Sequence, residues 1–230
     1  MDLLPADTTL DARDRGTAVT LLPIGSFEQH GPYLPLTTDT LVASTIAAEL
    51  ATVYPVSRLP PITISCSHEH AAWPGTVSIS ATTLAAIVRD VAASVQHAGA
   101  STLVLVNGHG GNYVLGNVVQ EASLGTLRMA LFPTEPDWDD ARAEAGLTTT
   151  GLSDMHAGEL ETSILLHALP DLVRPGYERV DHLADDRRYL LTRGMQAYTE
   201  SGVVGRPSLA SAEKGRAVLA SLVRSFAGHL

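Results

Sequence analysis

Apolar and polar positions follow two regimes along this 230-residue chain. Residues 18–24 (AVTLLPI), 102–106 (TLVLV) and 127–132 are short, nearly unbroken apolar runs. Such runs predict strands covered on both faces, since few positions are left to meet water. Residues 56–65 are β-rich, but Pro60 and Pro61 split them into two short extended pieces. Elsewhere the apolar period becomes helical. Leu84, Ile87, Val88, Val91 and Val95 predict a helix over 80–97, stopped by Gly99. Further helices are predicted over 40–52, with Asp39 or Thr40 near the N-cap, from Asn112 to about Leu124, and over 159–169, closed by Pro170. A last one covers 213–230, with Val218, Leu222 and Phe226 on one face. Residues 133–155 have no clear period and read as a long loop holding the acidic patch Asp137, Asp139 and Asp140. Residues 171–210 are mixed, with one candidate helix over 185–195.

Strands alternating with helices predict an α/β fold, a mainly parallel sheet with helices on both faces. No repeat, linker or shift in composition divides the chain, so 1–230 reads as a single domain. In such sheets ligands bind beyond the carboxyl ends of the strands.

Charge and cysteine content narrow the function classes. Fifteen basic against twenty-five acidic side chains give a formal charge of −10. With no basic stripe, neither nucleic acid nor an anionic membrane is expected as a partner. A lone cysteine, Cys66, rules out an intrachain disulfide and a thiolate metal cluster. The start of the chain, MDLLPADTTLDARDRG, lacks a basic segment followed by an apolar one, and no apolar run reaches the ~18–20 residues of a membrane span. A soluble cytoplasmic protein is the expectation.

The polar residues that follow the strands carry candidate chemistry. After the first strand, GSFEQHGPYLPLTTD offers Glu28, His30 and Asp39. After the third, NGHGGN sets His109 among three glycines, which let the backbone approach a ligand closely. A third motif, HAGELETS, places His156 before a helix that opens with Glu159 and Glu161. Singly each has a plainer meaning: a tight turn, a phosphate-binding loop at a helix start, or acidic residues complementing a helix dipole. Together, Glu28, His30, Asp39, His109 and Glu159 form a nitrogen and oxygen ligand set that suits Zn²⁺ or Mn²⁺. Five ligands exceed what one catalytic zinc takes. They suit two divalent ions sharing a carboxylate and a water, with the loop-borne Asp39 as the bridge. His156 is then left as a general acid–base, and Glu161 as a residue orienting it or a metal ligand. His70, flanking Glu69 in a loop, and Trp73 and Gly110 are assigned to substrate contact.

These residues resemble the creatininase (creatinine amidohydrolase) family. PIGSFEQHGPYLPLTTD, EHAAWPGTVS, LVLVNGHGGN, HAGELETS and SGVVGRPSLASAEKGR match its motifs in order over nearly the whole chain. The resemblance implies a three-layer α/β sandwich, a binuclear centre of Zn and/or Mn with iron also admissible, and a homo-oligomer, often a hexamer. It assigns metal binding to Glu28, His30, Asp39 and His109, with Asp39 bridging, and proton handling to His156. Two departures bear on the substrate. The family's NGH motif continues with a bulky residue and a ligand Glu, where this chain has Gly110 and Gly111, so Glu159 is the candidate replacement. A Trp that helps enclose creatinine is replaced by Leu152. NGHGGN with HAGE is closer to the branch that includes formamidopyrimidine deformylases and mycofactocin precursor peptidases.

The expected activity is hydrolysis of a non-peptide amide C–N bond in a small molecule, through hydroxide held between two ions. The alternative is a peptidase acting at the C-terminus of a small precursor peptide. A third reading, outside the enzymes, is a metal-free protein that binds a phosphate ligand at GHGGN.

Overall fold

A computed structural model describes residues 3–230. Met1 and Asp2, which open the segment read for a leader, lie outside them. The chain order is α1 (Thr9–Arg15), β1 (Val19–Ile24), α2 (Thr38–Val53), β2 (Val56–Arg58), α3 (Ala81–His97), β3 (Thr102–Asn107), α4 (Val114–Ala122), β4 (Arg128–Phe132), α5 (Glu135–Glu144), α6 (Glu159–Ala168), α7 (Leu190–Arg193) and α8 (Ala212–Ser225).

The strands form one parallel sheet in the order β2-β1-β3-β4. Side chains of β1 and β3 alternate between two apolar layers, as the period of a strand requires. Leu21, Val104 and Val106 enter one layer with α2, α6 and α8, where Ile46, Ile164, Leu222 and Phe226 are buried. Leu22, Ile24, Leu103 and Leu105 enter the other with α3 and α4, where Leu84, Val88 and Leu115 are buried. Helix, sheet and helix make three layers, as expected. No helix among the described residues is long and apolar enough to cross a membrane.

The region 133–155 departs from its reading as a loop. Its first half is α5, opened by a capping box in which Thr134 and Asp137 exchange hydrogen bonds. Few apolar residues mark it, because only Trp138 and Ala141 pack on the core. The candidate helix over 185–195 is reduced to the short α7.

The chain leaves β1 through α2 for β2 on one side of the sheet, then returns to place β3 on the other side. The carboxyl ends of β1 and β3 are therefore the topological switch point, where open α/β sheets hold ligands. Two glycines bring the chain together there. A Cβ on Gly25 would lie 2.2 Å from the Thr40 nitrogen, and one on Gly108 2.3 Å from the Asp39 carbonyl. Only glycine lets both strand ends close on the first turn of α2.

Candidate metal centre

Three segments converge at that point. The chain leaving β1 carries Glu28 and His30, the first turn of α2 carries Asp39, and the turn after β3 carries His109. All are at most 5% exposed. Asp39 sits at the centre. Its Oδ1 is 2.9 Å from His30 Nε2, and its Oδ2 is 2.9 Å from His109 Nδ1 and accepts a 2.7 Å hydrogen bond from Ser26 Oγ. It is not loop-borne as expected but lies inside α2, whose N-terminal dipole favours a carboxylate.

The donor atoms fall into overlapping groups. Glu28, Asp39 and His109 form one, and His30, Asp39 and Glu161 another, each with its ligand atoms within 4.8 Å of one another. Asp39 belongs to both. Glu28, His30 and His156 form a third. Both Glu28 oxygens are buried and make no hydrogen bond among the described residues; imidazole nitrogens of His70 and His109 each stand 3.2 Å away. An ionised carboxylate so placed is costly unless a cation meets it. The residues therefore fit divalent ions: oxygen and imidazole donors, no sulfur, and a buried carboxylate that makes no hydrogen bond among the described residues.

Protonation bears out this excess of acidic groups. Burial raises Glu28 to about 8 and Glu161 to about 7. Burial opposes charge on His30 and His109, yet the neighbouring carboxylates prevail. Asp39 draws His30 up to about 9, and Glu28 with Asp39 draws His109 up to about 10. Asp39 is held well below the usual carboxylate range, because its two imidazole partners outweigh its burial. Protons on these groups balance charge that a metal ion would otherwise balance.

His156 differs. Burial keeps it well below an ordinary imidazole, with His30 and His70 adding to the effect. It is fixed by backbone pairing with Val204 on both sides, His156 N to Val204 O at 2.9 Å and the reverse at 3.0 Å. The next residue, Ala157, has φ 51°, a left-handed conformation uncommon for a side-chain-bearing residue. Its carbonyl accepts from the Tyr33 hydroxyl, and its N–H donates to Glu161 Oε2 at 2.6 Å. The strained turn orients both His156 and Glu161.

Glu159 is corrected. It does not join the cluster. Its Oε2 accepts from Thr149 Oγ1 at 2.7 Å and from two backbone amides, and its Oε1 pairs with Lys214 Nζ at 2.5 Å. Glu161, two residues on, takes the place expected for it. The cause lies at the start of α6, where Asp154 accepts from the N–H groups of Glu159 and Leu160 and is itself held by Arg142 at 3.0 Å. That cap sets the helix phase that points Glu161 towards His30.

His70 is corrected as well. At 1% exposure it is part of the cluster, with Nε2 3.2 Å from Glu28 Oε1, rather than a surface for substrate. Trp73 is half-buried beside it, ring centroids 6.3 Å apart. Gly110 borders the cleft above the cluster, with open space where a Cβ would stand. Gln29 was not anticipated. Its side-chain nitrogen reaches His70 Nδ1 (2.9 Å), His156 Nε2 (3.1 Å) and the Gly202 carbonyl (3.1 Å). Its place between Glu28 and His30 in the chain is the only hint the sequence offers.

The cleft has a volume of about 1130 Å³. Its lining includes His109 and Glu161 of the cluster, the apolar Trp138, Leu152 and Met155, and the charged Arg142. Leu152 is 59% exposed.

Comparison with known proteins gives the family and supports the fold. The family "Creatininase: Creatinine amidohydrolase" matches residues 6–230. A mycofactocin precursor peptide peptidase of Mycobacterium ulcerans (strain Agy99) is 36% identical over 216 residues, covering 88% of this chain and 80% of its own. A creatinine amidohydrolase of Pseudomonas putida is 28% identical over 234 residues, covering 92% and 88%. A solved structure described as "Creatininase Mn" superposes with a TM-score of 0.82 at 24% identity, over 97% of this chain and 95% of its own.

Proposed function

We propose, from the premise that the chain belongs to the creatininase family, that it hydrolyses an amide bond in a short peptide-like substrate using two divalent ions. The observation that carries the two-ion reading is Asp39, whose carboxylate is shared by two donor groups. Glu28, Asp39 and His109 would hold one ion, and His30, Asp39 and Glu161 the other. Bound there, Zn²⁺ or Mn²⁺ supplies a Lewis acid and brings the pKa of water from 15.7 towards about 7.

The chain's own residues supply the rest. Gly110, bare of a side chain, lets the substrate backbone come down to the floor of the cleft. His156, kept neutral by burial, takes a proton and returns it to the leaving nitrogen. With Nε2 against the Gln29 carbonyl at 2.6 Å, its Nδ1 is the nitrogen facing Glu28, 3.7 Å away. Gln29 holds both histidines, its side-chain N–H donating to His70 Nδ1 and its backbone carbonyl accepting from His156 Nε2–H.

The cleft favours the peptide reading over the small amide expected first. At about 1130 Å³ it exceeds the ~300–1,000 Å³ of ordinary small-molecule pockets, and no aromatic side chain at position 152 narrows it. The relative at 36% identity acts, by its name, on a precursor peptide. A small non-peptide amide is the second reading, supported by the creatinine amidohydrolase relative.

Metal-depleted protein, given back Zn²⁺ or Mn²⁺, should regain hydrolysis of short apolar peptides followed by mass spectrometry. Creatinine and simple formamides should be turned over far more slowly. Activity that survives chelation would contradict the metal-dependent reading. Turnover of creatinine above every peptide would reverse the choice of substrate.

A further inference from the structure

One carboxylate beside the cluster has no task in this scheme. Glu69 lies in a single 3₁₀ turn, His68–His70, with its side chain 14% exposed. Its Oε1 is 3.7 Å from His109 Nε2, and no hydrogen bond among the described residues restrains it.

The turn after β3 is shaped around this carboxylate. A Cβ on Gly111 would lie 2.1 Å from Glu69 Oε1 and 2.4 Å from His109 Nε2. Glu69 thus fills the volume that any side chain at position 111 would need. The carboxylate absent from this turn in sequence is present in space, supplied by a different loop.

The two nitrogens of His109 face different surroundings. Nδ1 meets the shared carboxylate of Asp39 at 2.9 Å. Nε2 is 2.8 Å from the Cys66 carbonyl, its hydrogen-bond partner, and 3.2 Å from Glu28 Oε2. Cys66 and Glu69 belong to the same loop, so one loop offers both a carbonyl and a carboxylate to Nε2. The distal N–H of a metal-binding imidazole ordinarily donates to such a group, which fixes its tautomer and makes the other nitrogen a better ligand.

We propose that Glu69 is a positioning residue acting through His109. With the ion bound, its carboxylate, which stands 3.7 Å from Nε2 in this structure, closes on Nε2–H beside the Cys66 carbonyl and so presents Nδ1 to the ion shared with Glu28 and Asp39. Gly111 is the condition for it to stand there. This rests on the two-ion reading.

The test uses the full chain and the metal alone. Zn²⁺ and Co²⁺ affinities are measured by competition with a chromophoric chelator, and the Co²⁺ absorption bands are recorded for each variant. Glu69→Ala should weaken binding of one ion about 10–100-fold and shift the Co²⁺ bands. Glu69→Gln keeps an acceptor oxygen in the same place and should recover most of the affinity. Melting of the metal-free variants separates a loss of ligand orientation from a loss of fold: Glu69→Ala should melt near the parent. Parent-like affinity and spectrum in Glu69→Ala, or a Gln variant as weak as Ala, would overturn the role of Glu69 alone. Failure of the parent protein to bind any divalent ion would overturn the two-ion reading, and this inference with it.

Discussion

At the scale of the residue, the site is a cluster of acids and imidazoles that carry protons in the absence of metal. Glu161 at about 7, Glu28 at about 8, His30 at about 9 and His109 at about 10 all stand above their ordinary values. A divalent ion must displace those protons, so binding releases protons and apparent affinity rises with pH. Zn²⁺ affinity is expected to increase steadily across roughly pH 6–9, measured by calorimetry in buffers of different ionisation enthalpy. The same shifts set the stability of the metal-free fold. A pKa raised on folding stabilises below the unfolded value, and that contribution is lost as pH rises through the folded value. The metal-free protein should therefore melt lower as pH rises from 7 towards 10, and bound Zn²⁺ should reduce that fall. Flat affinity over this range would mean that these groups do not meet the ion. Glu28, His30, Asp39 and His109 were legible from residue type and their place after strands. Gln29 and Glu69 were not, because their roles depend on which side chains surround them in space.

At the scale of the element, α6 separates a structural carboxylate from a candidate ligand two positions away. Glu159 is bound by Thr149 and Lys214, whereas Glu161 reaches His30 and Asp39. Glu161→Gln should lose metal while its metal-free melting temperature changes little. Lys214→Met should retain metal yet lose stability by about 3 kcal/mol, since it leaves the buried Glu159 unpaired. Metal analysis and denaturant melts of the two variants check this, and the opposite pattern would restore Glu159 as the ligand. Both residues open a helix in the sequence, and helical periodicity cannot say which faces the site. That choice is made by the Asp154 cap and the left-handed Ala157, features of the turn before the helix. The strands and α3 were plain from their apolar period. α5 was not, because its face towards the core is narrow and its only marked signal is the Thr134–Asp137 cap.

At the scale of the whole molecule, the parallel sheet supplies the meeting point and the loops beyond it supply the chemistry. β1 and β3 end side by side, α2 begins between them, and the long return through 201–205 pins His156. If the chain assembles as the homo-oligomer that the family resemblance implies, light scattering should give a multiple of the 24.2 kDa chain mass, and a mass of one chain would dismiss it. In the proposed centre, Asp39 is shared by two ions. Anomalous diffraction collected on either side of the zinc absorption edge, from crystals grown with Zn²⁺, tests it directly. Two peaks are expected, one against Glu28 and His109 and one against His30 and Glu161, with Asp39 between them. A single peak, or peaks away from Asp39, would contradict it.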